Sequence, residues 1–281
     1  MTQTLSESAL QPFAYVPPAT MNHPKATMNL ARGEVLGFGV QVVQPNGGET
    51  NLHAHAAAES LWFVLKGRAR FYDTVDHLFG EYGPMEGVAI PRAAPYWFEA
   101  ADGDENLEIG HVTVVNKNAQ NHRLNFSPLV ERQAGRHTEA KSRDLSKHNA
   151  KPMYSVKYDS PALDGEVMKV TQLWDGGDML QFSVEKIGNG GGNPGLHSHT
   201  GSEGAWFVLC GAVRFTDKAG VISELSANEG VFIPVGEAYG FESIDEEPLE
   251  MLHIKARDVR IESSERLDID PLSRGAADKV S

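Results

Sequence analysis

The chain has 281 residues, 41% hydrophobic and 22% charged, enough for two domains that each bury a core. A formal net charge of -13 argues against a nucleic-acid surface built from clustered Lys and Arg, and no apolar run approaches the roughly 20 residues of a membrane-spanning helix. The only cysteine, Cys210, cannot form an internal disulfide, and the opening MTQTLSESALQPFAYVPPAT lacks the basic segment and apolar stretch of a secretory signal. A cytoplasmic protein with small-molecule partners, and neither nucleic acid nor membrane among them, is expected.

Residues 1–30, with Pro17-Pro18, read as an N-terminal arm. The stretch from Leu36 to Asp73 then lies without a gap over Leu180 to Asp217 at an offset of 144: Phe38 falls on Phe182, His53 and His55 on His197 and His199, Glu59 on Glu203, and Trp62-Phe63-Val64-Leu65 on Trp206-Phe207-Val208-Leu209. Farther on, EGVAIPRAAPYWFE from Glu86 falls on EGVFIPVGEAYGFE from Glu229, and LEIGH ending at His111 falls on LEMLH ending at His253. The period-2 alternation of Phe38, Val40 and Val42 and the short WFVL run predict strands of about five residues. Asn46-Gly47-Gly48 and the glycines from Gly188 to Gly192 predict turns. Many short strands without a long helix predict an all-β barrel or sandwich in each repeat. The polar stretch 118–150 reads as a linker with at most one helical turn, and 263–281 as a tail, which leaves barrels at 31–117 and 151–262.

Gly48, His53-x-His55, Glu59 and Gly67 resemble the first cupin motif, and Gly87, Pro91 and Tyr96 the second, with both repeated in the later half. The resemblance is to the bicupins. It implies two tandem double-stranded β-helix (jelly-roll) barrels, each with a metal held by the HxH pair, a carboxylate from the next strand and a ligand from motif two, and often dioxygenase, decarboxylase or isomerase chemistry. Residues i and i+2 of a strand share a face, so His53 and His55, and His197 and His199, can aim together into a barrel. One divalent transition metal per functional barrel is then expected, with Fe(II) favoured and Mn, Ni or Zn compatible with imidazole and carboxylate ligands.

Two departures qualify this. Tyr96 and Tyr239 stand where the motif-two histidine is usual, and a neutral phenol is a poor ligand. Glu59 and Glu203 sit one place before the usual carboxylate position, which Ser60 holds in the first repeat, and a one-residue shift turns a strand side chain to the other face unless a bulge absorbs it. His111 and His253 are candidates to replace the missing ligand, set against hydrogen-bonded core histidines. Tyr96 and Tyr239 are candidate acids or substrate anchors, and Glu99 and Glu242, three residues on, candidate bases set against exposed strand carboxylates.

The second repeat keeps the motif glycine as Gly236 where the first has Ala93, which favours the second as the better preserved. Three functions remain: an Fe(II) dioxygenase acting on a small aromatic, dicarbonyl or flavonoid-like substrate; a redox-neutral metal-dependent isomerase, lyase or decarboxylase; and a small-ligand-binding bicupin with vestigial metal sites. Two fused barrels can pair as two subunits would, giving an intramolecular pseudo-dimer that stays a monomer or forms a homodimer.

Overall fold

A computed structural model describes residues 9–45, 51–103, 105–127 and 142–269. The structure is almost all β, and no helix among the described residues is long and apolar enough to cross a membrane. The expected Asn46-Gly47-Gly48 turn lies outside the described residues.

The chain divides into two compact units, one holding Tyr15–Asp159 with Leu173–Gln181, the other Met1–Ala14, Ser160–Gln172 and Phe182–Ser281. In the first-repeat unit a six-stranded sheet runs in the order Tyr154–Lys157, Glu86–Ile90, Ala58–Lys66, Leu107–Val115, Leu36–Val43, Lys25–Arg32. Two three-stranded sheets complete that unit: Ser142–Asp144, Arg123–Ser127 and His53–His55 in one, Leu78–Tyr82, Ala69–Tyr72 and Trp97–Ala100 in the other. The second-repeat unit repeats the plan, with Gln11–Ala14, Glu229–Ile233, Ser202–Cys210, Leu249–Arg257, Leu180–Ile187 and Met168–Trp174 in one sheet. Its other sheet holds Ile222–Ser226, Ala212–Asp217, Tyr239–Ser243, Gly192–His199 and Arg266–Asp268.

The strands are longer than the apolar runs that announce them. Ala58–Lys66 has nine residues, because Glu59 and Ser60 continue the backbone pairing with Leu107–Val115 before Trp62 begins the apolar stretch. The segments expected as arm, linker and tail also carry strands. Gln11–Ala14 pairs with Glu229–Ile233, Arg123–Ser127 with His53–His55, and Arg266–Asp268 with Gly192–His199. Leu124 and Phe126 supply the reason in the linker: both are buried with Leu52, Ala54 and Trp97, a two-residue alternation too brief to register against a polar background.

Each core is an aromatic stack on one tryptophan. Trp62 lies 4.7 Å from Phe98 and 6.4 Å from Phe71, and Trp206 lies 4.9 Å from Phe241 and 6.3 Å from Phe215, so the two barrels are filled alike. Such ring pairs add about 0.5–1.5 kcal/mol each beyond the area they bury. The motif glycines make room for this layer. A Cβ on Gly87 would stand 2.0 Å from the Trp62 carbonyl oxygen, and one on Gly230 2.3 Å from that of Trp206.

Candidate active site in the barrel mouths

In the first repeat, strand alternation sends Leu52 and Ala54 into the apolar cluster with Trp97, which leaves His53 and His55 on the opposite face. Their rings stand 5.2 Å apart and nearly perpendicular, as do His197 and His199 at 5.5 Å. His53 is 2% exposed and its Nδ1 lies 2.6 Å from the carbonyl oxygen of Asn51; His197 is 3% exposed, with Nδ1 3.3 Å from the Gly195 carbonyl oxygen. A carbonyl can only accept, so Nδ1 carries the proton and Nε2 keeps a free lone pair, the tautomer a metal requires. The Nδ1 of His199 is buried with no hydrogen-bond partner. Burial, reinforced by the Arg123 charge, holds the first pair neutral, His53 well below the ordinary histidine range; burial and Lys255 bring His199 down to about 4.

Tyr96 lies directly opposite His53, joined to it by two backbone hydrogen bonds of 2.8 and 3.0 Å, and their rings are 4.4 Å apart; Tyr239 stands opposite His197 at the same separation. Both tyrosines are 2% exposed, and burial pushes Tyr96 up to about 12 and Tyr239 upward as well, so each is a neutral phenol beside a neutral imidazole. His111 stacks on Trp62 at 3.8 Å and 5°, and His253 on Trp206 at 3.8 Å and 6°, which places both on the wall that carries the tryptophan. His111 Nε2 lies 3.0 Å from Thr113 Oγ1, and burial brings its pKa down to about 3; His253 Nδ1 lies 3.4 Å from Glu185 Oε1.

No protein-family profile and no curated protein matches the sequence. Solved structures do. A salicylate 1,2-dioxygenase variant from Pseudoaminobacter salicylatoxidans in complex with gentisate superposes with a TM-score of 0.65 at 12% identity, over 95% of this chain and 88% of that one. An oxalate decarboxylase mutant from Bacillus subtilis gives 0.55 at 18%, over 90% and 82%, and the coconut allergen cocosin 0.59 at 12%, over 92% and 87%. The fold is that of a bicupin.

Within this fold the carboxylates fall elsewhere than the motif implies. Glu59 is 4% exposed, and its oxygens accept from three successive backbone N–H groups, those of Asp178 (3.1 Å), Met179 (3.1 Å) and Leu180 (2.9 Å). The one-residue displacement is therefore real: Trp62 and Ser60 share the interior face, and Glu59 takes the other. Glu203 holds the same register, so Gly204, not a carboxylate, shares the Trp206 face. Glu99 is not a barrel base, since Phe98 takes the core face and Glu99 accepts from Tyr72 Oη at 2.8 Å on the other. Glu242 is likewise turned away from Phe241 and paired with Arg214 Nη1 at 2.8 Å.

Among the described residues, no three His, Cys, Asp or Glu side chains are drawn close enough together to hold a metal. The HxH pairs, with Nδ1 of His53 and His197 already tied back, fit a divalent metal as two of its ligands. His111 and His253, stacked on Trp62 and Trp206, do not complete a third ligand position in this structure.

A cavity of about 330 Å³ opens in the first-repeat unit between the strands Lys25–Arg32, Leu36–Val43 and Leu107–Val115, with Thr27, Gln41, His111 and Thr113 on its wall. A different space in the second repeat, between His199, Glu203, Tyr239, His253 and Lys255, measures about 10 Å³. Gly37 and Gly39 line the first; Gln181 and Ser183 stand at the equivalent positions of the second repeat. On sequence, Gly236 favours the second barrel as the better preserved. Ala93 adopts the same left-handed backbone as Gly236, with φ of 63° against 78°, so the glycine marks a shared turn and not a better site.

Four site residues escape a motif reading. Arg123 lies directly opposite His55 and Asn125 opposite His53, while Arg266 lies opposite His199 and Asp268 opposite His197. The signal was present in the sequence, since Arg123-Leu124-Asn125 and Arg266-Leu267-Asp268 repeat at an offset of 143, the offset of the second-motif blocks.

Proposed function

We propose that the chain is a metal-dependent bicupin enzyme, a dioxygenase acting on a small aromatic, dicarbonyl or flavonoid-like substrate. The observation that carries this reading is the buried imidazole pair in each barrel, with the outer nitrogen of its first member fixed on a backbone carbonyl and the inner one left as a donor. His53 and His55, and His197 and His199, would hold one divalent metal per functional barrel, Fe(II) by preference. The metal supplies Lewis acidity and, where redox-active, electrons. The protein's own part is to bind the substrate in the cavity beside His111, to keep the imidazoles neutral by burial, and to present the neutral Tyr96 hydroxyl next to His53.

That neutral phenol also favours a second reading, a redox-neutral isomerase, lyase or decarboxylase in which Tyr96 or Tyr239 delivers a proton. Metal content of untagged protein, compared with His53→Ala/His55→Ala and His197→Ala/His199→Ala, tests the common premise. Stoichiometric metal that disappears with one pair is expected, and a chain that takes up no metal even after anaerobic reconstitution refutes both readings. Oxygen uptake with catechols, diketones and flavonols then separates them, since turnover under strict anaerobiosis belongs to the redox-neutral one.

A further inference from the structure

One polar side chain on the wall of the first-repeat cavity keeps an unmet acceptor. Gln41 lines that cavity, is 9% exposed, and its Oε1 is buried with no hydrogen-bond partner. Strand pairing sets its place. Thr27 and Ile109 stand opposite Gln41, Asn29 and His111 opposite Gly39, and Thr113 opposite Gly37, so these residues share the interior face. Ile109 belongs to the aromatic core, which puts Gln41 at the inner end of the cavity. His111 turns Nε2 to Thr113 Oγ1 at 3.0 Å, not to the amide. In the second repeat the equivalent residue is Glu185, whose Oε1 lies 3.4 Å from His253 Nδ1, so the acceptor there is satisfied.

A buried acceptor without a donor destabilises the free chain until a donor arrives. The amide is uncharged, and so are the groups around it: Thr27, Asn29, Thr113, and His111, whose pKa burial brings down to about 3. The charged wall residues Arg32, Glu34 and Lys117 are exposed, at or beyond the ends of their strands. An ion carried to Gln41 would lose its water and meet no counter-charge, whereas a neutral hydroxyl meets an acceptor. Gly37 and Gly39 leave the space for it, where the second repeat has Gln181 and Ser183.

We propose that Gln41 is the specificity-determining residue of the first barrel, its amide oxygen accepting a hydrogen bond from the hydroxyl of an uncharged ligand held in the cavity walled by Gly37, Gly39 and Thr113. The proposal rests on the functional reading above for the site it occupies, and narrows its substrate class.

Titration calorimetry on the full chain tests it with probes built on one ring: phenol and benzyl alcohol, which donate from an aromatic and an alkyl hydroxyl, anisole, which has no donor, and benzoate, which is charged. Wild type should bind phenol or benzyl alcohol about tenfold more tightly than anisole or benzoate, and whichever binds identifies the kind of hydroxyl. Gln41→Met, which keeps the length and removes the acceptor, should erase that preference with metal content unchanged. Without ligand the same variant should unfold at a higher urea concentration than wild type, the opposite sign to the loss of a structural hydrogen bond. Gly37→Gln, which installs the residue of the second repeat, should block every probe; a Cβ at Gly37 meets nothing nearer than the Thr113 carbonyl oxygen at 4.0 Å, so the fold accepts it. Glu185→Gln should leave the preference intact. Anisole or benzoate binding as tightly as the hydroxyl probes, no binding of any probe, a preference that survives Gln41→Met or moves with Glu185→Gln, or a Gln41→Met chain that unfolds earlier than wild type overturns the assignment. Metal content measured on the same samples keeps the two readings apart. A metal-loaded chain without the hydroxyl preference sinks the Gln41 assignment alone, and the preference in a chain that never takes up metal sinks the metal reading alone.

Discussion

Truncating Glu59 should destabilise the first-repeat barrel without removing a metal ligand. The carboxylate is 4% exposed and accepts from the N–H groups of Asp178, Met179 and Leu180 at 3.1, 3.1 and 2.9 Å. A hydrogen bond to a charged partner contributes about 1.5–3 kcal/mol, and a donor left buried without one costs about 1–3 kcal/mol. Three donors lost together do not add in full, because water enters a vacated site, so Glu59→Ala should cost about 3–5 kcal/mol. Against the 5–15 kcal/mol of a typical domain, that is a large fraction. Glu59→Gln keeps one acceptor oxygen but turns an NH2 toward a donor, and should cost about 2–3 kcal/mol. Urea unfolding followed by tryptophan fluorescence reads both, with metal content measured in parallel. A Glu59→Ala protein within 1 kcal/mol of wild type, or one of unchanged stability that has lost its metal, would refute the reasoning and return Glu59 to the ligand set.

Gly87→Ala should be at least as damaging, since the new Cβ would meet backbone 2.0 Å away at the Trp62 carbonyl; expression of folded protein by circular dichroism checks this, and a variant that melts with wild type contradicts it. The pH profile follows from burial of neutral histidine. His111 has its folded pKa lowered to about 3 by burial, so its contribution is complete above the unfolded value of about 6.5 and is lost as the pH falls toward 3. Urea midpoints at pH 7, 5.5 and 4 should therefore decline with acid, and His111→Gln should flatten part of that decline; an equally steep decline in the variant would remove His111 from the account.

The double barrel was legible because repetition multiplies weak signals: one HxH is common, and two at a fixed offset with the same tryptophan run after each are not. The parity problem at Glu59 was legible too, on a strand where Ser60 and Trp62 share one face, with a bulge as the other way out. What holds Glu59 was not, because three N–H groups from residues 178–180 belong to no motif and meet it only in the folded chain. Which face Glu99 and Glu242 take was hidden for a related reason. Their spacing from Tyr96 and Tyr239 is regular, but the apolar neighbours Phe98 and Phe241 claim the inner face, and period 2 sends the carboxylates outward. Arg123 and Arg266 were hidden in stretches too short and polar to read as strands, and only their pairing with the histidine strands reveals what they face.

Those pairings also set an order of events. His53–His55 is flanked on one side by Tyr96 and on the other by Arg123–Ser127, and the second histidine pair waits in the same way for Arg266–Asp268, among the last described residues. A chain emerging from its N-terminus can therefore build most of each barrel before the strand that faces the imidazoles exists. Each mouth is finished by residues that follow its own barrel sequence, Arg123–Ser127 in the first repeat and Arg266–Asp268 in the second. Deleting Arg266–Asp268 would leave the second core standing and its histidines open along one edge, while the first mouth, closed by Arg123–Ser127, would be spared.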